Sequence, residues 1–269
     1  MLSAAMVVAP TLQSPTLAAV ERETTALFDH VAPTVVLIET ADGFGSGFFV
    51  SPLGHILTNR HVVGTQGTVR VRLHDGRRVT GTVVERGAKG VDLALVKVAV
   101  KGAPALPLAP TRSLRIGTWA GSVGHGRGGV WTLTTGLISN AHGGRARGVL
   151  QTQIPLNPGA SGGPVFDRRG RVVGVVASGL VDSDAVNFAI TAETALASLP
   201  ALRPVTNCLS VGAPKGASVF VNGTRIGAGP LVTLVAEPGT YEIEVDVAGT
   251  RRKESVTFPE RRTVTFRAR

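Results

Sequence analysis

The sequence predicts an all-β protein, and three observations carry that expectation. Short runs dense in Val, Ile and Leu alternate with Gly, Pro and Asn breaks, the spacing of antiparallel sandwiches and barrels. The 269 residues include 34 Gly, are 43% hydrophobic and only 17% charged, a composition that feeds an apolar core and many tight turns. Periodic helical runs are scarce: Thr24–His30 and Ala192–Leu199 are the candidates.

Taken in order, the strand-like runs begin with TVVLIET (residues 34–40) and GFFVSPLGHILTN (47–59). VRVRLHDG (69–76), RRVTGTVVERG (77–87) and DLALVKV (92–98) continue the pattern, and VFDRRGRVVGVVASG (165–179) reads as a hairpin. The segment LPALRPVTNC (199–208) holds two prolines and no periodicity, so it predicts a linker. Beyond it, ASVFVNGTRIG (217–227) alternates apolar and polar residues around Asn222–Gly223, a strong hairpin signal. A second alternating pair, EPGTYEIEVDVAGTRRKESVTF (237–258), turns near Ala248–Gly249. The expected organisation is a tail over 1–23, a first domain over 24–200, a linker over 201–207 and a small β-sandwich over 208–269.

Met1 to Ala9 is small and apolar and TLAAV (16–20) offers a small-residue cleavage pattern, without a positive leading segment. The reading is a shortened signal peptide or a disordered tail, with export to the periplasm or outside the cell as the preferred expectation. No stretch reaches the roughly 20 apolar residues of a membrane-spanning helix, so no integral membrane protein is expected. Net charge is +10. The basic residues are scattered and aromatics are only 4%, so nucleic acid is not an expected partner. Arg251–Lys253 and Arg261–Arg262 read as solvated strand edges. The single cysteine, Cys208, rules out an internal disulfide and paired-thiol metal motifs; it reads as a small buried side chain.

Chemistry concentrates in LNPGASGGPVFD (156–167), where Gly159, Gly162 and Gly163 surround Ser161. A serine nucleophile needs a base for its proton, a carboxylate to hold that base, and backbone donors for the oxyanion. Ser161 is the nucleophile candidate, with the amides of Gly159 and Ser161 as oxyanion donors. A strand-to-helix nucleophile elbow is not expected, because a hairpin follows. His61, directly after an apolar run in GHILTNRHVV, is the candidate base; His30, His55, His74, His125 and His142 lack comparable surroundings. Asp92, at the head of an apolar strand, is the candidate orienting acid, since an unpaired carboxylate there would be costly. Gly124–Gly129 fits G-x-G-x-x-G literally, but a strand-like run follows instead of a helix, which argues against a dinucleotide site. No metal-binding spacing appears, and neither a metal nor a cofactor is expected.

FGSGFFVSPLGHILTNRHVV (44–63), VDLALVKV (91–98) and LNPGASGGPV (156–165) together resemble the motif blocks of the HtrA/Deg family of chymotrypsin-fold serine proteases. GSVGHGRGGVWTLTTGLIS (121–139) resembles that family's glycine-rich segment, and the likeness runs from about Phe28 to Leu199. It implies two six-stranded barrels with the site between them. It also implies His61 as base, Asp92 as orienter and Ser161 as nucleophile, acting on unfolded or exposed polypeptide in envelope quality control. Two departures stand out: Ala160 where the family has Asn, and Gln151-Thr152-Gln153 where it commonly has Gln-Thr-Asp. By the same likeness Pro155, six residues before the nucleophile, and Leu156 fall at the pocket floor. Asn187 would narrow that pocket, and Ala177, Ser178 and Gly179 would pair with substrate backbone. With no carboxylate there, cleavage after Val, Ala or Leu is expected over cleavage after Arg or Lys. Residues 205–269 resemble a PEGA domain in place of the usual PDZ domain, through SVFVNGTRIGAGPL and AEPGTYEIEVDVAG. For that block a cell-surface polymer is the expected partner; oligomeric state has no basis in the sequence. The alternative is a catalytically inactive protease fold that binds the cell surface.

Overall fold

The computed structural model describes residues 15–109, 111, 114–126, 129–141, 148–177, 187–206, 208–236, 239–258 and 260–267. The chain opens with helix α1 (Pro15–Val31) and then builds β1 (Val35–Thr40), β2 (Gly43–Ser51) and β3 (His55–Thr58). The one-turn helix α2 (Arg60–Val63) follows, then β4 (Thr68–Arg72), β5 (Arg78–Arg86) and β6 (Ala94–Val98). These six strands close into a barrel in the order β1-β2-β3-β6-β5-β4. A second closed barrel, in the order β10-β11-β12-β9-β8-β7, uses β7 (Trp119–Gly126), β8 (Gly129–Asn140), β9 (Val149–Thr152), β10 (Pro164–Phe166), β11 (Val172–Ala177) and β12 (Asn187–Thr191). The expected all-β double barrel is what forms.

Strand periodicity explains how the barrels join. Successive side chains point to opposite faces. In the first barrel Val36, Ile38, Phe49, Ile56, Ala94 and Val96 fill the interior. Their immediate neighbours Val35, Phe48, Leu57 and Leu95 point outward and meet Val123, Phe166, Val175 and Ile190 of the second barrel. Strands apolar on both faces are what a two-barrel packing requires. Phe48, Leu57, Leu95 and Phe166 are fully buried, and each such side chain contributes about 1.5–3 kcal/mol. That joint fixes the relative position of the loops each barrel sends to the site.

Two segments differ from expectation. Helix α1 begins at Pro15, well ahead of Thr24, so part of the expected tail is helical. The expected linker contains helix α4 (Leu202–Thr206), preceded by α3 (Ala192–Ser198). Leu199 and Leu202 are fully buried in the inter-barrel core. Pro204 falls in the first turn of α4, where an N–H has no intrahelical acceptor, so it does not break the helix.

The C-terminal block forms two sheets. β13 (Cys208–Gly212) sits between β16 (Leu231–Val235) and β19 (Thr263–Thr265). The other sheet has the order β15-β14-β17-β18, from β14 (Ser218–Val221), β15 (Thr224–Ala228), β17 (Gly239–Val247) and β18 (Thr250–Phe258). Leu209, Val211, Val219, Ile243, Val245, Val256 and Phe258 form its core. Both anticipated hairpin turns carry positive φ, at Asn222 and Gly223 (48° and 78°) and at Ala248 and Gly249 (50° and 86°). β18 is an edge strand, and its Arg251 and Lys253 bond to Glu244, Asp246 and Glu242 on β17. The side chain of Cys208 lies outside the described residues. Among the described residues, no helix is long and apolar enough to cross a membrane.

Candidate active site

The first barrel presents His61 and Asp92 side by side. Asn59 caps α2 in an extended conformation, which turns the chain sharply after β3 and puts His61 in the helix's single turn. A tight turn, with Val91 N–H on Ala88 O and Gly87 N–H on Leu93 O, presents Asp92 ahead of β6. The Asn59 side chain donates to Asp92 O at 2.8 Å and ties the two loops together. Asp92 Oδ2 lies 2.6 Å from His61 Nδ1, and Oδ1 accepts the His61 backbone N–H at 2.9 Å. A carboxylate can only accept, so Nδ1 is the donor, and in the neutral ring this tautomer leaves Nε2 as the acceptor. Contrary to the burial argument from sequence, Asp92 is not in the core: its side chain is 38% exposed and that of His61 48%. The pair sits at the rim of an open depression of about 500 Å³ lined by Arg60, His61, Gly64, Thr65, Arg86 and Asp92.

The second barrel supplies the Ser161 loop, and the glycines explain its shape. Gly159 and Gly162 have φ of +98° and +84°, a region L side chains avoid. A Cβ at Gly159 would lie 2.0 Å from His125 O, and one at Gly162 would lie 2.2 Å from Ser46 O. The loop is thus pressed between β7 and β2. The Cβ position of Gly162 is also 3.0 Å from Asn59 N. At Gly45 the Cβ position is 2.5 Å from Val62 Cγ2 and 3.2 Å from Ser161 O. Ser161 therefore sits beside the turn that carries His61, with only a glycine between. Ser161 is buried, at 5% exposure. Its carbonyl accepts Ser46 N–H at 2.8 Å, and Gly162 N–H donates to Val176 O at 3.0 Å.

Of the expected specificity residues, Asn187 heads β12 and donates its side-chain amide to Ile154 O at 2.9 Å, next to Pro155. Pro155 is exposed and Leu156 half-buried against the second barrel's core. Ala177 ends β11, buried; Ser178 and Gly179 lie outside the described residues. The G-x-G-x-x-G stretch is the β7–β8 hairpin, with Gly126 opposite Gly129; residues 127–128 lie outside the described residues. The neighbourhood that sequence reasoning missed is that of Ser46 and His125. His125 is 1% exposed, its Nδ1 lies 3.1 Å from Ser46 Oγ, and its ring meets Trp131 edge-on at 4.8 Å.

Two histidines are held neutral. Burial, aided by Arg72, lowers His125 from 6.5 to about 4, and burial with Lys97 nearby does the same to His55. Between those values the unfolded chain binds protons that the folded chain refuses, so stability is lost as pH falls from 6.5 through about 4. The expected result is a melting temperature that declines across that window, and a shallower decline in His125→Asn. A flat profile there contradicts the burial of both rings.

Residues 45–175 match the family of trypsin-like peptidase domains, and residues 209–269 match the PEGA domain family. The chain is 38% identical over 154 residues to a DegP-like periplasmic serine endoprotease of Chlamydia pneumoniae, covering 54% of this chain and 31% of that protein. To the serine protease HhoA of Synechocystis sp. it is 39% identical over 166 residues, covering 58% of this chain and 42% of that protein. Among solved structures, Deg5 superposes with a TM-score of 0.58 at 31% identity, covering 68% of this chain and 94% of that one. An inactive form of Rv3671c from M. tuberculosis H37Rv superposes with a TM-score of 0.58 at 26% identity, covering 74% of this chain and 96% of that one. The fold and these matches define a trypsin-like serine peptidase domain followed by a PEGA domain. Within that class the chain belongs to the HtrA/Deg-like proteases. It spans well under half the length of these two curated relatives.

Proposed function

We propose that the chain is a serine endopeptidase that cleaves unfolded or exposed polypeptide through an acyl-enzyme on Ser161. The observation that carries this reading is the doubly anchored His61–Asp92 pair, with bonds of 2.6 and 2.9 Å, on a turn whose Asn59 N lies 3.0 Å from the Cβ position of Gly162 in the glycine-bent loop of Ser161. His61 Nε2 takes the Ser161 hydroxyl proton as the oxygen attacks the peptide carbonyl. Asp92 holds the ring and balances the imidazolium. The amides of Gly159 and Ser161 receive the oxyanion. Collapse of the tetrahedral adduct passes the proton from His61 to the leaving amine, and water activated by the same imidazole then releases the acyl group. No step calls on a cofactor.

The matched relatives named as periplasmic endoproteases support a periplasmic or secreted location, where the chain would act in envelope protein quality control. Around the acyl pocket, Pro155, Leu156 and Asn187 offer no carboxylate, which favours a small or medium apolar side chain over Arg or Lys. Ala177, Ser178 and Gly179 would pair with substrate backbone, and the PEGA domain would engage a cell-surface polymer. Proteolysis of reduced casein and labelling by a fluorophosphonate, both lost in Ser161→Ala, are the expected results. Neither activity in the wild type across about pH 6–9 would make the chain an inactive, binding relative. Profiling of the casein fragments is expected to show Val, Ala or Leu before the cut; a majority of Arg or Lys there would overturn the assigned pocket.

A further inference from the structure

Ser46 lies in the middle of β2, fully buried, and every polar group it has is engaged around the Ser161 loop. Its backbone N–H donates to Ser161 O at 2.8 Å and its hydroxyl donates to Gly159 O at 2.7 Å. Its carbonyl accepts the Thr58 hydroxyl at 2.6 Å, and its Oγ accepts His125 N–H at 3.0 Å. A hydroxyl has one proton. With that proton on Gly159 O, the 3.1 Å contact to His125 Nδ1 requires the imidazole to be the donor. His125 therefore carries a proton on Nδ1, and its burial keeps the ring neutral. Among the described residues its Nε2 is buried without a hydrogen-bond partner, and its ring packs on Trp131, which is pinned to the first barrel by Nε1–H on Val35 O at 2.9 Å.

We propose that Ser46 and His125 are positioning residues for the oxyanion donors of the Ser161 loop. The peptide between Gly159 and Ala160 is held at both ends: its carbonyl by the Ser46 hydroxyl and its N–H by Asn157 O at 2.9 Å. That peptide lies between the two assigned oxyanion amides, of Gly159 and Ser161. Fixing its plane, and fixing Ser161 O from the same residue, fixes the relative direction of the two N–H groups. With φ of +98° at Gly159, this backbone has an easy rotation that the clamp removes. His125 orients the hydroxyl so that its proton faces Gly159 O.

This inference rests on Ser161 being the nucleophile, and its test separates the two. In the full chain, His125→Leu and Ser46→Ala are expected to lower kcat on an unstructured peptide by about 10- to 100-fold with KM unchanged, the scale of a misdirected oxyanion donor. Affinity for a peptide aldehyde, which mimics the tetrahedral adduct, should fall in parallel, while affinity for the cleaved product peptide should not. His125→Asn, whose amide can replace the Nδ1–H donor, should restore kcat to within about threefold of wild type. Nitrogen-15 NMR of the imidazoles should show His125 neutral and Nδ1-protonated, a readout that survives if Ser46→Ala fails to fold. Wild-type turnover with undiminished kcat and aldehyde affinity in His125→Leu would overturn the positioning role and leave the nucleophile standing. An Nε2-protonated His125 would also overturn it. A wild type that neither labels nor hydrolyses would remove both.

Discussion

Ser161→Ala is expected to lower kcat on unfolded polypeptide by on the order of a million-fold, the loss seen when a nucleophile acting as part of a unit is removed. The fold should persist. The hydroxyl stands on a loop whose shape is set by backbone bonds, from Ser46 N–H to Ser161 O and from Gly162 N–H to Val176 O, and the substitution leaves these intact. The control is a thermal melt beside the wild type, and the readout is the rate of casein fragmentation. Retention of more than about a hundredth of wild-type turnover would show that another group attacks the peptide bond.

Asp92→Asn is the second large effect, with kcat expected to fall about 10⁴-fold. The reason lies in the two bonds Asp92 accepts from His61, one from the ring at 2.6 Å and one from the backbone at 2.9 Å. An asparagine offers one acceptor and one donor. Whichever way its amide is turned, one His61 N–H faces an NH₂ group. If the ring yields, the proton moves to Nε2 and the base can no longer receive one from Ser161. Both side chains are partly exposed, so the substitution should affect stability far less than turnover. A loss of less than about tenfold in steady-state kinetics would contradict the orienting role.

How much was legible in the sequence follows from how local each signal is. The barrels were readable because their strands repeat every two residues between glycine breaks, and because Phe48–Phe49 and Leu57 beside Ile56 mark runs apolar on both faces. The Ser161 loop was readable because positive φ at Gly159 and Gly162 demands glycine. The His61–Asp92 pair was anticipated from two short motifs, although its exposure was not: the sequence places Asp92 beside an apolar strand without saying that the turn lifts it to the rim. Helix α4 was hidden by Pro204 within it and Pro200 just before it, which read as linker until Leu199 and Leu202 are seen in the inter-barrel core. Ser46 and His125 were the least legible. Ser46 meets His125 across 79 positions of chain and Gly159 across 113, and nothing in Phe-Gly-Ser-Gly says which of its atoms will be used. In sequence His125 looks like the other histidines without a motif around them, because only the closed barrels bring its ring to the loop.

The central claim is that His61, oriented by Asp92, activates Ser161. Mass spectrometry of the protein trapped with a fluorophosphonate tests it most directly. The account predicts a single adduct on Ser161, formed at a much lower rate in His61→Ala and Asp92→Asn. A wild type that digests casein yet carries its adduct on another residue, or labels Ser161 equally fast without His61, would contradict it.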